Sequence, residues 1–151
     1  MRRARSFWKA KGGAAAAEFA LVTPFLLMLL FGAFEYGRYL WTVNALQQTA
    51  AQTARCIGML EPNVAGSPGC AANAVFSPST AKLYGETLSA AWGITLADSN
   101  LTVSNAATCG NLTDFSQASI SYVFNSYVPA ILPSMAQGYT ITTSACFPNQ
   151  T

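Results

Sequence analysis

The feature that most constrains this chain is a 21-residue apolar run, Ala14 to Phe34, in which Glu18 is the single charge. A helix of that length is about 30 Å long, enough to cross the hydrocarbon layer of a bilayer. Five of the eight basic residues precede this run, ahead of any acidic residue. By the positive-inside rule, we expect a cytoplasmic N-terminus and export of everything after Trp41. Tyr36 and Tyr39 would then lie with Trp41 at the far interface, which aromatic side chains prefer.

Two other interpretations of the apolar run are weaker. A cleaved secretory signal is usually shorter, and no convincing A-x-A site follows the run. A lipoprotein would need small residues before Cys56, but Arg55 occupies that place. The composition, 52% apolar and 9% charged, also indicates that part of the chain does not face water. The sequence contains no histidine, which excludes Ser-His and Cys-His catalysis and most zinc sites.

Glu18 is the residue whose placement needs explaining. It could simply lie at the cytoplasmic interface, where a carboxylate costs little and meets the positive end of the helix dipole. Its surroundings favour a second interpretation. Gly12 and Gly13 allow an extended, cleavable backbone before the helix begins. Cutting after Gly13 would leave Ala14 at the N-terminus, with Glu18 as the fifth residue.

This arrangement resembles the processing site of type IV prepilins, in which a membrane-embedded aspartyl peptidase cuts after glycine and the fifth mature residue is glutamate. The pair Glu18-Phe19 looks like the Flp/Tad (type IVb) branch. The residues Gly13–Arg38 and Trp41–Arg55 look like the start of TadE-like minor pilins, or pseudopilins. The resemblance covers Lys11 to about Ile57, nearly a third of the chain.

The resemblance implies cleavage between Gly13 and Ala14, N-methylation of Ala14, and pairing of Glu18 with the N-terminal amine of a neighbouring subunit. It implies a minor pilin that enters the base or tip of an adhesive pilus and supports its assembly, with no catalytic activity and no cofactor. Its partners would be a prepilin peptidase, the major Flp-type pilin, other minor pilins, an inner-membrane assembly platform and membrane lipid. It would lie in the bacterial inner membrane with a periplasmic C-terminal domain, and in the extracellular pilus after assembly.

The alternative is an unprocessed single-pass anchor whose external domain binds an envelope partner. A major pilin is less consistent with the sequence, since Flp-type major subunits are much shorter. An enzyme has little support, because the carboxylates of the external part form no visible pair. Loss of residues 1–13 would leave three basic side chains against six carboxylates, a net charge of −3 that provides no basic patch for nucleic acid.

The sequence predicts four segments: a basic leader (1–13), a transmembrane helix (14–37), its external continuation (38–57) and an α+β head (58–151). Pro24 predicts a local kink or loosened turn in the membrane part. The continuation carries apolar or small residues at helical spacing on one face. They are Tyr39, Val43, Leu46, Ala50, Ala54 and Ile57. We therefore predict one rod whose upper half is covered by the head.

In the head, 58–79 reads as a loop. Ser77-Pro78 predicts the start of a helix that ends at Gly93. The apolar side of that helix should be Leu83, Leu88, Ala91 and Trp92. Alternating residues predict three strands laid antiparallel against the long helix. They are Leu101–Ser104, Ala118–Phe124 and Tyr139–Cys146. Pro129 and Pro133 predict a loop between the last two.

All four cysteines would lie in the oxidising compartment, which favours two disulfides. Three pairings are possible. We favour Cys56–Cys70, which is local, and Cys109–Cys146, which joins the ends of predicted strands. A metal site built from the four thiolates is the competing interpretation, but it lacks a C-x2-C pair.

Overall fold

A single long helix, α1 (Gly13–Gly58), is the central element of the molecule. The computed structural model describes residues 13–62, 69–73, 75–127 and 138–150. The leader ahead of Gly13 and the predicted loop containing Pro129 and Pro133 lie outside the described residues. α1 continues on both sides of Pro24, and the Thr23 hydroxyl donates to the Phe19 carbonyl at 2.7 Å.

The two halves of α1 have different surroundings. Side chains from Ala14 to Phe34 are exposed or at most half-buried, whereas burial on one face begins at Glu35. Beyond that residue the predicted stripe is confirmed. Its buried members are at most 1% exposed and are Leu46, Ala50, Ala54 and Ile57. Tyr39 and Val43 pack against the same core at partial burial.

The second helix, α2 (Pro78–Ala91), begins where the sequence predicts. Ser77 is its N-cap and Pro78 occupies the first helical turn, where a missing backbone donor costs nothing. At its end, Gly93 has a φ of 76°, and Ile94 N–H donates to the Ser89 carbonyl at 3.0 Å. A residue without a Cβ is favoured in this left-handed conformation, so Gly93 ends the helix.

The predicted apolar side of α2 is wrong. Leu83, Ala91 and Trp92 are exposed and Leu88 is half-buried. The buried side consists of the small residues Ala81, Gly85 and Ser89, which occur at intervals of four. They are buried because α2 approaches its neighbours closely: a Cβ on Gly85 would lie 2.6 Å from Leu101 Cδ2 and 3.2 Å from Thr53 Oγ1. Larger side chains on that face would hold α2 away from α1.

β1 (Ala71–Ala72) and β2 (Val75–Phe76) form a short hairpin inside the segment predicted as a loop. The 3-10 turn Asp98–Asn100 is followed by β3 (Leu101–Cys109), β4 (Leu112–Phe124) and β5 (Tyr139–Pro148). These three strands form the antiparallel main sheet, in the order β3-β4-β5. β3 is longer than predicted because register irregularities after Ser104 and Ala107 let pairing continue past the polar stretch. β4 also starts earlier than predicted, at Leu112.

The core lies between the upper half of α1 and the inner face of this sheet. β4 contributes Ile120 and Phe124 to this core, and the neighbouring strand β5 contributes Ile141. The predicted alternation in β4 is confirmed, since Ile120 and Phe124 are buried and Tyr122 is half-buried, whereas Ser121 and Val123 are exposed. The expected α+β architecture, a long helix bearing a small antiparallel sheet like a lollipop, is confirmed.

Two disulfides link the described elements. Cys56 of α1 is bonded to Cys70, and both side chains are buried beside Ile57 and Ala81. Cys109 at the end of β3 is bonded to Cys146 of β5, which links the two outer strands of the sheet. These are the two pairings that the sequence favours. The first closes the top of α1 onto the head, and the second joins strands that are not neighbours.

Candidate assembly site on the long helix

The predicted processing residues Gly13 and Ala14 lie at the first described turn of α1. Gly13 is already helical, so the Gly13–Ala14 peptide bond lies in helical backbone and not in an extended stretch. A Cβ placed on Gly13 would meet nothing within 4 Å among the described residues. Within those residues, nothing covers this bond.

Glu18 lies just beyond this turn on a fully exposed stretch of helix. Within the part of the chain that the structure describes, its carboxylate forms no ion pair or hydrogen bond. Its neighbour Phe19 is 70% exposed. The structure thus places a carboxylate and a large apolar ring side by side, and none of the described residues covers either.

The surface around and above Glu18 is apolar over the whole lower half of α1. Its large exposed side chains are Phe19, Leu21, Val22, Phe25, Leu26, Leu27, Met28, Leu29, Leu30, Phe31 and Phe34. The described helix is long and apolar enough to cross a membrane by length and composition. So extended an apolar surface requires either lipid or neighbouring helices around it.

The site also contains a buried ion pair that the sequence interpretation missed. Glu35 is only 2% exposed, and its Oε1 accepts from Arg38 Nη2 at 2.8 Å. Arg38 Nε donates to Glu35 Oε2 at 3.2 Å, which makes the pair bidentate. The backbone N–H of Tyr127, just past β4, donates to Glu35 Oε1 at 3.1 Å. The carboxylate therefore joins α1 to the end of β4.

Arg38 is held from the head side as well. Its guanidinium lies 4.4 Å from the Phe124 ring centroid and 4.2 Å from that of Tyr127, in cation–π contact with both. It also donates to the backbone carbonyl of Asn125. Arg38 and Glu35 thus form a polar joint at the level where the head meets the helix.

Aromatic rings surround this polar joint. Tyr39 packs edge-on against Phe124 at 5.6 Å and against Tyr139 at 5.9 Å between ring centroids. Burial, and after it the adjacent Tyr139 phenol, raises the pKa of the Tyr39 hydroxyl above its usual value. Tyr39 therefore stays neutral at physiological pH, and its ring remains part of the apolar contact between helix and head.

The two carboxylates of the apolar half of α1 are in opposite situations. Glu35 has a cation and a backbone donor within the same chain. Glu18 has neither among the described residues. The sequence contains one signal for the Glu35 ion pair, since Glu35 and Arg38 are three residues apart on a helix. The contacts from residues 124–127 have no local signal at all.

Within residues 13–62, 69–73, 75–127 and 138–150, no group of three or more His, Cys, Asp or Glu side chains could hold a metal ion. The four cysteines are all in disulfides. The lower half of α1 is thus an exposed apolar helix that carries one carboxylate, Glu18, without a partner among the described residues.

A helix that is bare over its lower half and packs into the core of a small α+β head over its upper half defines a class of lollipop-shaped proteins. Within that class, residues 13–55 match the model of the family described as TadE-like protein, which confirms the resemblance drawn from the sequence. The matched segment starts at Gly13 and includes Glu18, Glu35 and Arg38, while most of the head lies beyond it. This family is associated with the Tad pilus and is in general non-enzymatic. No curated protein and no solved structure matches the chain.

Proposed function

We propose that this chain is a minor pilin, or pseudopilin, of a Tad/Flp pilus. A prepilin peptidase removes residues 1–13, and the mature subunit enters the pilus base or tip and supports assembly. The single observation that carries the proposal is the Glu18 carboxylate, which lies without a partner among the described residues on the exposed apolar half of α1. The TadE-like match over the same segment supports it.

The exposed apolar half of α1 supports two successive environments for the subunit, one before assembly and one after it. Before assembly, a helix of this length is covered by the bilayer, with the basic leader in the cytoplasm and the head in the periplasm. After assembly, the same surface is covered by the helices of neighbouring subunits. The segments in this proposal are a leader (1–13), a membrane helix (14–37), its continuation (38–57) and a head (58–151).

Glu18 supports the second of these environments in particular. Cleavage after Gly13 creates a free amine on Ala14, and a carboxylate taken out of water requires a cationic partner. Arg38 is already bound to Glu35 within the chain, about five turns above Glu18. The partner of Glu18 is therefore the Ala14 amine of an adjacent subunit, and the two charges set the position of one subunit against the next.

The further partners follow from this role. They are the prepilin peptidase, the major Flp-type pilin, other minor pilins and the inner-membrane assembly platform. The subunit uses no cofactor and catalyses no reaction. The proposal competes with an unprocessed single-pass anchor whose head binds an envelope partner, and the two differ in covalent mass.

Intact mass spectrometry of the membrane-extracted protein tests the proposal. We expect the mass of residues 14–151, with a methyl group on Ala14, and the full-length mass in a strain that lacks the prepilin peptidase. The variant Gly13→Leu should stay at full length because it changes the residue at the cut. Gly12→Leu is the matched control and should still be processed.

Gly13→Leu is a suitable variant, since a Cβ at this position would meet nothing within 4 Å among the described residues. Full-length protein in cells with an active peptidase would establish the unprocessed anchor instead. Equal processing of the Gly13→Leu and wild-type chains would contradict the proposed prepilin cleavage, because the cut would then not depend on Gly13.

A further inference from the structure

The underside of the head contains exposed aromatic side chains grouped around α1. We call this group the aromatic collar; its members are Tyr36 and Trp41 from α1 and Trp92, Tyr127 and Tyr139 from the head. They are between 40% and 81% exposed, with Trp92 the least and Tyr127 the most. Three separate parts of the head supply them: the end of α2, the end of β4 and the start of β5.

The lowest member of the collar is Tyr127. Its backbone N–H is bonded to Glu35, and its ring faces an open apolar recess that Leu30, Phe31 and Phe34 also line. These three residues belong to the apolar run that spans the membrane in the proposed topology. The end of β4 therefore reaches down to the last turn of the membrane segment.

The other head members lie slightly higher. The ring of Tyr139 is 5.9 Å from that of Tyr39, and the ring of Trp92 is 5.5 Å from that of Trp41. The contacts of the collar with α1 thus extend from Glu35 to Trp41, a rise of about 9 Å along the helix axis. The headgroup layer on one side of a bilayer is of similar thickness, roughly 5–8 Å.

We propose that the aromatic collar is a lipid-contacting surface, and that the head rests in the headgroup layer of a phospholipid bilayer before assembly. The occupant is lipid because the collar continues directly from the exposed apolar run, and because its level matches the length of that run. A helix counted upward from Ala14 leaves the hydrocarbon near Phe34, just below the collar. Tyr and Trp are the side chains enriched at this depth, since each has an apolar body and a polar end.

This inference rests on the single-pass insertion in the proposed function and adds a contact that insertion alone does not require. A head could equally stand clear of the membrane on a bare stretch of helix. The Glu35–Arg38 joint prevents this, because it binds residues 125 and 127 to the helix at the membrane boundary. Trp92, Tyr127 and Tyr139 are then brought to the lipid surface by the fold itself.

Depth-dependent fluorescence quenching in phosphatidylcholine vesicles tests the proposal with the full-length chain. Nitroxide-labelled lipids provide a quencher near the headgroup or near the end of the acyl chain. Each reporter variant contains one tryptophan, and all other tryptophans, including Trp8, are replaced by phenylalanine. The single tryptophan is Trp92, Trp41 or the one introduced by Tyr127→Trp. Leu112→Trp in the same background is the control, because Leu112 is exposed at the opposite end of β4.

We expect the headgroup-level quencher to remove most of the emission of the Trp92 and Tyr127→Trp reporters, and more than the deep quencher removes. The Leu112→Trp reporter should lose none. Two head reporters that were as insensitive as Leu112→Trp, with Trp41 still quenched, would overturn the lipid contact and leave the anchor intact. Unquenched but blue-shifted head reporters would also overturn it, because protein would then cover the collar. An unquenched Trp41 would overturn both the contact and the proposed insertion.

Discussion

Glu35→Ala is the substitution that most directly tests how the head is joined to the helix. It removes a carboxylate that is 2% exposed, together with its bidentate contact to Arg38 and the hydrogen bond from Tyr127 N–H. A hydrogen bond to a charged group contributes about 1.5–3 kcal/mol, and removing one partner of a buried ion pair costs about 3–5 kcal/mol. Arg38 retains 28% side-chain exposure and its contacts to Phe124 and Tyr127, so it can turn partly toward water.

We therefore expect Glu35→Ala to lower the free energy of unfolding of the head by about 2 kcal/mol. For a domain of this size, that loss lowers the melting temperature by about 10 °C. The assay is thermal unfolding of the full-length chain in detergent micelles, followed by near-ultraviolet circular dichroism of the packed aromatic rings. Glu35→Gln should cost less, about 1 kcal/mol, since its amide oxygen still accepts from Tyr127 N–H and from Arg38.

Glu18→Ala is the matched control for this experiment. It also removes a carboxylate from the lower half of α1, but one without an intramolecular partner in the described residues. Its melting temperature should equal that of the wild type. If Glu35→Ala melted at the same temperature as Glu18→Ala, the expected role of the Glu35–Arg38 ion pair would be wrong, because the pair would then contribute nothing to the attachment of the head.

Three further results are expected. Glu18→Ala should still be cleaved and inserted but should be absent from sheared pilus fractions on immunoblots, and its normal incorporation would contradict the proposed pairing. Replacing both cysteines of Cys109–Cys146 with serine should lower the free energy of unfolding by about 4 kcal/mol, and replacing those of Cys56–Cys70 should lower it by about 3 kcal/mol, because the first bond closes the longer loop. Denaturant unfolding in the oxidised state measures both losses, and the opposite order would show that loop length does not determine them. Leu46→Ala, at a fully buried position, should cost about 3 kcal/mol, whereas Gln48→Ala on the exposed face should change the same unfolding midpoint very little.

The parts of the fold that the sequence predicted are those with strong local signals. The buried stripe of α1 follows from helical spacing, as Leu46 and Ile57 show. The start of α2 follows from Ser77-Pro78 and its end from Gly93. The inner face of β4 follows from alternation through Ile120 and Phe124. In each case the residues that decide the structure lie within one or two turns of each other.

The parts that the sequence interpretation missed depend on the approach of distant elements. α2 buries Gly85 because Thr53 and Leu101 come close to it, and neither residue is near it in the chain. Leu83 and Trp92 are instead left exposed, so hydrophobic spacing gave the wrong face. Similarly, Glu35 is buried by backbone from residues near Tyr127, which a reading along the helix does not reveal.

The candidate site likewise has one part that the sequence predicted and one part that it did not. Residues Gly13 to Phe19 were selected by their order along the chain, and the structure adds their exposure and the absence of a described partner for Glu18. The Glu35–Arg38 joint and the collar came only from the three-dimensional arrangement. Their importance comes from residues of the head, beyond the segment that matches the TadE-like family.

The continuity of α1 has a mechanical consequence. The helix runs from Gly13 to Gly58 as one element, packs its upper half against α2, β4 and β5, and is tied at its top by Cys56–Cys70. A pulling force on the lower end is therefore delivered to the head through one continuous helix, as shear along the whole helix–sheet contact. Shear must break many packed contacts at once, so a force applied along α1 would move the head as an intact unit.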